Sequence, residues 1–231
     1  MDTPICDFLN EYSDRKMLRC HMPGHKGFTP SDENPILYSA DITEISGADS
    51  LFEADGIIAQ SENNMSKLYG TVATVYSTGG STLCIQTMLA IMKSENRKIY
   101  AVRNVHRAFL NALALLNLDV EWILPEYTDG ILSGRIDLNQ VERLLKGNGQ
   151  PSCLYVTSPD YTGRIADISS LSDICHRHNT KLIVDNAHGA HLAFFTENHH
   201  PMALGADMCC DSAHKMLPAL TGASMLHTSD Y

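Results

Sequence analysis

Asp207-Met-Cys-Cys-Asp-Ser-Ala-His-Lys215, followed by Met-Leu-Pro-Ala-Leu-Thr-Gly222, is the stretch around which the rest of the chain is organised. Met208 to Cys210 is a short run of small apolar residues, typical of a buried strand. Polar residues follow at once, and a proline and a glycine then end regular structure. A lysine just past a buried strand is predicted to have a partly desolvated amine, with a neutral, nucleophilic fraction near pH 7. Read alone, Lys215 is better explained as a surface lysine after an edge strand, so its interpretation as a nucleophile depends on the rest of the sequence.

Composition limits the classes of protein to consider. At 231 residues and 25.5 kDa, the chain can bury a full core as one large domain or one and a half smaller ones. Seventeen basic and 27 acidic residues give a net charge of −10, which argues against nucleic acid or an anionic membrane and suits a cationic ligand. The seven cysteines form no CxxC pair, which argues against a disulfide framework or a zinc site. With no signal peptide and no apolar run of about 18 residues, we expect a cytoplasmic protein.

Strands and helices alternate from Arg97 onward. The apolar runs predict strands at 98–102, 120–124, 153–157, 182–184, 208–210 and 223–226, and helices at 105–116, 138–146 and 168–178. Two further helices, at 57–69 and 83–92, precede this part. The alternation predicts an α/β fold, a mostly parallel sheet of six or seven strands with helices on both faces. We expect an N-terminal arm over residues 1–45 and a large domain over 46–231.

Polar residues collect after four of the predicted strands, at 103–106, 157–163, 185–188 and 212–215. The carboxyl ends of parallel strands meet at one edge of a sheet, and α/β proteins bind their ligands there. The four segments together therefore predict a binding site, although each of them alone is ordinary.

The turn Gly79-Gly-Ser-Thr82 precedes the helix at 83–92. Free N–H groups, two hydroxyls and the positive end of a helix dipole are what a phosphate group requires. A plain Ser/Thr N-cap explains the turn about as well when it is read alone.

Two N-terminal segments are open to more than one interpretation. Residues 21–27, His-Met-Pro-Gly-His-Lys-Gly, can bring backbone and cationic groups close to an anion, or can form an arm between elements or subunits. Residues 41–50 are acidic, and are either a solvated loop or a patch that attracts a cationic substrate.

These segments together meet the requirements of one type of cofactor. A cofactor with an aldehyde, a pyridine ring and a phosphate requires a lysine for a Schiff base, a carboxylate beside the ring nitrogen, a flat group for stacking and an anion site. Lys215, Asp185 and His106 supply the first three groups. The residues that supply the anion site are Gly80, Ser81, Thr82, Ser212 and His214.

The sequence resembles the ornithine/lysine/arginine decarboxylase family, pyridoxal-phosphate-dependent enzymes of fold type I that are related to aspartate aminotransferase. The motifs that carry the resemblance are HMPGHKG (21–27), GGST (79–82), RNVHRAF (103–109), TSPDYTG (157–163), VDNAHGAH (184–191) and DSAHKMLPALTG (211–222). They span about Cys20 to His227, and their joint occurrence in this order makes the resemblance specific. Val105 and Arg107 stand where the family has Ser and Lys.

The resemblance implies a cofactor, a reaction and roles for individual residues. It implies pyridoxal 5'-phosphate and decarboxylation of lysine, ornithine or arginine by a cytoplasmic homodimer or higher homo-oligomer, with neither nucleic acid nor membrane as partner. Lys215 would form the Schiff base, Asp185 would pair with the pyridine nitrogen, and His106 would stack on the ring. Ala187 would pack on its other face, and His188 would lie near a cofactor oxygen. The phosphate would be bound by Ser81, Thr82, Ser212 and His214.

The family also has a carboxy-terminal small domain beyond the sheet, whereas this sequence stops at Tyr231. We therefore expect the PLP-binding domain alone, either as a piece of a longer protein or as a naturally short chain. One alternative is a non-catalytic PLP-domain fragment that folds and oligomerises. A second alternative is another enzyme of the same fold type, such as an aminotransferase or a carbon–sulfur lyase.

Two other classes fit less well. Six histidines lie between residues 176 and 200, but their spacing matches no HExxH pattern, and we expect no bound metal. A Rossmann dehydrogenase would need GxGxxG after a strand, and the turn at 79–82 has neither that pattern nor a predicted strand before it.

Overall fold

The computed structural model describes residues 1–29, 35–127 and 134–229. Contacts divide the chain into two compact units, residues 1–68 and 69–231. The first unit contains α1 (Pro4–Asp14), α2 (Pro35–Ala40) and most of α3 (Ile57–Tyr69). The helix predicted at 57–69 is confirmed, whereas α1 and α2 had not been predicted. The division into an arm and a large domain at residue 46 stays a prediction, and residues 30–34 of that arm lie outside the described part.

Asp49 organises the start of α3. Its backbone has a φ of 69°, and its carboxylate accepts hydrogen bonds of 2.8–3.4 Å from the N–H groups of five residues, Ser50, Asp55, Gly56, Ile58 and Ala59. Desolvation raises the pKa of Asp49, but these hydrogen bonds lower it by more, so the pKa lies well below its usual range. Asp49 is therefore committed to capping α3, and the interpretation of 41–50 as a substrate-attracting patch finds no support at this residue.

The second unit alternates strands with helices. Its elements are β1 (Ala73–Ser77), α4 (Gly80–Ser94), β2 (Lys98–Val102), α5 (Arg107–Leu116), β3 (Val120–Ile123), α6 (Leu138–Asn148), β4 (Ser152–Thr157), α7 (Ile168–Arg177), β5 (Thr180–Asp185), β6 (Met208–Asp211), α8 (Ala213–Met216) and β7 (Ser224–Thr228). Two 3-10 helices, Ala190–Phe194 and Pro201–Leu204, lie between β5 and β6. None of the helices in the described ranges is long and apolar enough to cross a membrane.

The strands form one sheet in the order β1-β7-β6-β5-β4-β2-β3. Neighbouring strands pair in parallel, except that β7 runs antiparallel to both β1 and β6. The predicted fold class, a mostly parallel sheet of six or seven strands covered on both faces, is confirmed.

The sequence predicts no strand before the Gly79-Gly80 turn, but the structure contains one there, β1. β1 leads into this turn and pairs with β7 at the edge of the sheet. An edge strand is only partly covered, and Ala73, Val75 and Tyr76 are all at least partly exposed. The segment therefore carries no continuous apolar run from which a strand could be recognised.

Successive strand residues alternate between the two faces of the sheet. Tyr155, Ile183 and Cys210 pack with α4 and α5 on one face. Leu154, Val184 and Cys209 pack with α6 and α7 on the other. By the same alternation, Asp185 lies on the α4/α5 face and Asp211 on the α6/α7 face.

Candidate active site

The carboxyl ends of β2, β4, β5 and β6 meet the start of α4 around one narrow pocket. The residues that line it are Ser81, His106, Thr157, Tyr161, Asp185, Ala187, His188 and Lys215. Six of the residues singled out in the sequence, from four separate segments, are thus brought together.

Asp185 is a buried carboxylate at the end of β5. Its Oδ2 accepts a hydrogen bond from the Tyr155 hydroxyl (3.1 Å), and its Oδ1 accepts one from the N–H of Ala187 (3.2 Å). The thiol of Cys210 lies 3.7 Å from Oδ1. Burial, and then the charge of Asp185, raise the pKa values of Tyr155 and Cys210, so both groups keep their protons and act as donors. The carboxylate is held in a fixed orientation at the pocket wall.

His106 is positioned by the helix that follows it. It occupies the N-cap of α5, and its Nδ1 accepts a hydrogen bond from the N–H of Ala108 (3.2 Å). In the neutral ring the proton therefore lies on Nε2. The helix begins at Arg107 rather than Val105 because His106 caps it. The ring is fixed by this bond while it lines the pocket.

The start of α4 meets the end of β6 at two hydroxyls. Ser212 Oγ donates a hydrogen bond to Ser81 Oγ over 2.8 Å. Gly80 has a φ of 69°, which favours glycine, and a Cβ on Gly79 would lie 2.8 Å from Leu83 Cβ. Gly79 occupies the N-cap of α4 and has no side chain that could bond the first N–H groups of that helix. Those N–H groups are therefore available to an anion beside the two hydroxyls.

Two predicted phosphate ligands lie apart from this arrangement. Thr82 is exposed and does not line the pocket. The Nδ1 of His214 donates to the carbonyl of Ala223 (3.2 Å), and the ring lies outside the pocket lining as well. Ser212 does not line the pocket either, but its hydroxyl bonds Ser81, which does.

Lys215 lies at the mouth of the pocket, in the short helix α8, with its Nζ 3.3 Å from Nε2 of His188. Its side chain is exposed rather than partly desolvated as the sequence had predicted. Burial, and then the charge of Lys215, lower the pKa of His188. His188 is therefore neutral at pH 7, and its Nε2 accepts a hydrogen bond from the lysine ammonium.

Two lining residues had not been assigned a role, although both lie in the quoted segment 157–163. The hydroxyl of Thr157 is buried at the pocket wall, near the end of β4. Tyr161 is exposed, and its ring lies 5.3 Å from that of His188 in an edge-on arrangement. In the sequence, only the position of Thr157 and Tyr161 at or after the end of β4 indicates that they belong to the site.

The histidines considered as metal ligands are spread over different partners. His176 contacts Asp207 (2.9 Å), His178 lies 3.8 Å from Glu142, and His188 contacts Lys215. In the described part of the chain, one group could still offer a metal four ligand atoms within 4.8 Å of one another, namely His200, Cys209, Asp211 and His227. It lies on the α6/α7 face, away from the pocket.

Comparison with known proteins is consistent with this architecture. The model of the Orn/Lys/Arg decarboxylase major domain matches residues 3–231. An arginine decarboxylase of Bacillus cereus is 29% identical over 99% of this chain and 52% of its own length, and one of Bacillus subtilis is 30% identical over 98% and 48%. Lysine decarboxylase A from Pseudomonas aeruginosa shares the fold, with a TM-score of 0.83 and 20% identity over 98% of this chain and 35% of its own. The chain spans about half the length of the curated relatives it matches.

Proposed function

The chain belongs to the Orn/Lys/Arg decarboxylase family, and we propose that it forms the cofactor-binding part of a pyridoxal 5'-phosphate-dependent decarboxylase that acts on a basic amino acid. The observation that carries this proposal is the pocket at the carboxyl edge of the sheet. An amine (Lys215), a buried carboxylate (Asp185), a flat ring (His106) and a hydroxyl at a helix start (Ser81) line it together. The large domain proposed for residues 46–231 would contain all of them.

The residues present fit pyridoxal 5'-phosphate. The Ser81–Ser212 hydroxyl pair and the N–H groups at the start of α4 would hold the phosphate. The buried Thr157 hydroxyl lines the same pocket, within reach of a ligand bound there. Ala187 is small enough for a ring to pack against it, opposite His106.

When bound, the cofactor supplies a protonated pyridine ring that accepts the electron pair left at the substrate's α-carbon as carbon dioxide departs. Asp185 would hold the ring nitrogen protonated, because its carboxylate would accept a hydrogen bond from that N–H. His106 would orient the ring by stacking on it. The nucleophile is Lys215, which must lose a proton before it can bond to an aldehyde carbon. His188 Nε2, 3.3 Å away and neutral, is placed to accept that proton.

We propose lysine, ornithine or arginine as the substrate. The named relatives are arginine decarboxylases, and the structural neighbour is a lysine decarboxylase. The net charge of −10 favours the approach of a cationic substrate.

One observation favours a second function, a protein that holds the cofactor without turnover. Lys215 is exposed in this chain, so the reacting amine is in contact with water. Catalysis at a reacting amine is helped when water is excluded from the site. An exposed Lys215 lacks that contribution.

Release of carbon dioxide from carboxyl-labelled lysine, ornithine and arginine by the purified, PLP-loaded chain separates the two functions. The proposal predicts release from at least one of the three, and its loss in Lys215→Ala. Lys146→Ala, which removes an exposed lysine from the end of α6, is the matched control and should behave as the wild type. A chain that binds the cofactor and releases carbon dioxide from none of the three would favour the second function.

A further inference from the structure

A second carboxylate, Asp211, lies behind the pocket on the opposite face of the sheet. It is fully buried, as are the side chains of His200 and His227 beside it. Its Oδ1 accepts a hydrogen bond from Asn186 Nδ2 (2.6 Å), and its Oδ2 accepts one from Nε2 of each histidine (3.1 and 3.2 Å). A buried carboxylate with three donors is far more strongly held than an exposed one.

The partners of Asp211 connect the two segments that form the site. Asn186 lies between Asp185 and Ala187, and its own N–H donates to the carbonyl of Cys210 (3.0 Å). Asp211 ends β6 and directly precedes Ser212 and α8, which carries Lys215. The bond between Asn186 and Asp211 therefore ties the end of β5 to the end of β6.

The two histidines anchor Asp211 to segments outside the site. His227 belongs to β7, and its Nδ1 bonds Thr74 Oγ1 of β1 (2.8 Å). His200 begins the 3-10 helix Pro201–Leu204, and its Nδ1 accepts the N–H of Met202 (3.4 Å). The ring of Tyr69 packs on both histidine rings, at 4.9 and 4.6 Å between centroids. The carboxylate is thus held from both sides.

Asp211 is ionised in this environment. Burial raises its pKa, but the hydrogen bonds from His200 and His227 lower it by more, so the pKa lies below its ordinary value. Asn186 is closely packed too, since a Cβ on Gly189 would lie 2.0 Å from Asn186 Oδ1. Neither partner of the Asn186–Asp211 bond has room to turn away.

A metal site is the alternative interpretation of the group His200, Cys209, Asp211 and His227, since Cys209 Sγ lies 3.9 Å from His200 Nε2. The hydrogen bonds favour the metal-free arrangement. Because Nδ1 of His200 accepts a backbone N–H, the proton of the neutral ring lies on Nε2 and is donated to Asp211. A metal would need the lone pair of that same nitrogen.

We propose that Asp211 is a positioning residue of the site, which fixes the spacing of Asp185 relative to Ser212 and Lys215 through its bond to Asn186. This inference rests on the proposed function, because that spacing matters only if the two segments hold different parts of one cofactor.

Backbone hydrogen exchange in the cofactor-free chain, together with the affinity for pyridoxal 5'-phosphate, tests the proposal. Asp211→Asn places an amide N–H₂, a donor, against groups that also donate. Asn186→Ala removes only the side-chain hydrogen bond to Asp211. Both variants should exchange faster at 185–189 and at 211–217. Both should also bind the cofactor about tenfold more weakly, because the loosened segments must be ordered when the cofactor binds, at a cost of about 1.4 kcal/mol. The double variant should be no weaker than the worse single variant, because both remove the same link.

Ser152→Ala is the matched control, since it removes a buried hydrogen bond to Thr180 (2.7 Å) at the opposite end of β4 and β5. This control should lower the melting temperature, but it should neither speed exchange at 185–189 and 211–217 nor weaken cofactor binding. Unchanged exchange and affinity in folded Asn186→Ala would overturn the proposal, and so would an equimolar transition metal in the purified chain that a chelator removes. Asn186→Ala decides the matter if Asp211→Asn does not fold. If the wild type binds no cofactor, the proposed function fails, while exchange in the cofactor-free chain still tests the link.

Discussion

The Nζ of Lys215 lies 3.3 Å from Nε2 of His188, a histidine whose pKa is lowered by burial and by the charge of that lysine. The pair brings a proton donor and a neutral acceptor together at the mouth of the pocket. Loss of the lysine proton, which any bond to an aldehyde requires, therefore has a defined acceptor within the same chain.

This pair predicts a dependence of cofactor binding on pH. His188 has its pKa lowered in the folded chain, so the folded state binds fewer protons than the unfolded state as the pH falls below about 6.5. The stability that a neutral His188 contributes is present above that pH and is lost as the pH falls through the lowered pKa. We expect cofactor affinity to fall over the same range, because a protonated His188 can no longer accept the proton that Lys215 must lose. Spectroscopic titration with pyridoxal 5'-phosphate between about pH 5 and 8 measures this.

His188→Gln should remove this acid dependence, whereas His199→Gln, a change at a histidine outside the pocket lining, should retain it. An acid dependence that is identical in His188→Gln and the wild type would rule out His188 as its source.

Asp185→Asn should leave the fold intact and impair the chemistry. The side chain keeps its volume, and one oxygen still accepts a hydrogen bond from Tyr155 or Ala187. A neutral amide no longer holds the pyridine nitrogen protonated, so carbon dioxide release should fall by about 10²–10³-fold, as when a preorganised electrostatic contact is lost. Circular dichroism and release of labelled carbon dioxide measure the two outcomes. Near-normal release by this variant would exclude the pairing.

The hydroxyls of Ser81 and Ser212 predict a difference between cofactor forms. Ser81→Ala and Ser212→Ala should each bind pyridoxal 5'-phosphate about tenfold more weakly, since each removes a hydrogen bond to a charged group. Their affinity for pyridoxal, which has no phosphate, should stay unchanged. Thr82→Val is the matched control, because Thr82 is exposed and lies outside the pocket. Equal losses for both ligands would place the phosphate elsewhere.

Assembly gives a further prediction. Met17, Leu18, Met22 and Phe28 are large apolar side chains exposed within the first 29 residues. Exposed apolar groups are commonly covered by a partner, and a two-fold dimer is the commonest arrangement for identical chains. We expect a homo-oligomer whose interface includes part of residues 20–60, and removal of residues 1–30 should weaken assembly and cofactor retention together. Light scattering after gel filtration measures the mass. A chain that is monomeric at micromolar concentration and still binds the cofactor tightly would oppose this expectation.

The sheet and most of the pocket were predictable because they depend on local patterns. Apolar runs such as 98–102 and 153–157 mark buried strands, and polar residues directly after a strand must lie at the carboxyl edge. Asp185 ends a strand, and His106 and Lys215 lie within four residues after one, so their convergence follows from the fold.

The remaining features depend on contacts that no local pattern records. β1 escaped recognition because an edge strand is only partly covered. The group around Asp211 joins side chains from Asn186 to His227, across two strands and a 3-10 helix, and the sequence offered only a histidine-rich stretch as a hint. The exposure of Lys215 depends on how α8 projects from the sheet, which its four residues do not reveal.

The most direct test of the account is borohydride reduction of the chain loaded with pyridoxal 5'-phosphate, followed by proteolysis and mass spectrometry. Reduction converts a reversible carbon–nitrogen double bond between the cofactor and an amine into a permanent single bond. We expect the pyridoxyl group on the peptide that contains Lys215, and none on Lys215→Ala. A label on another lysine, or an unlabelled chain despite a bound chromophore, would contradict it.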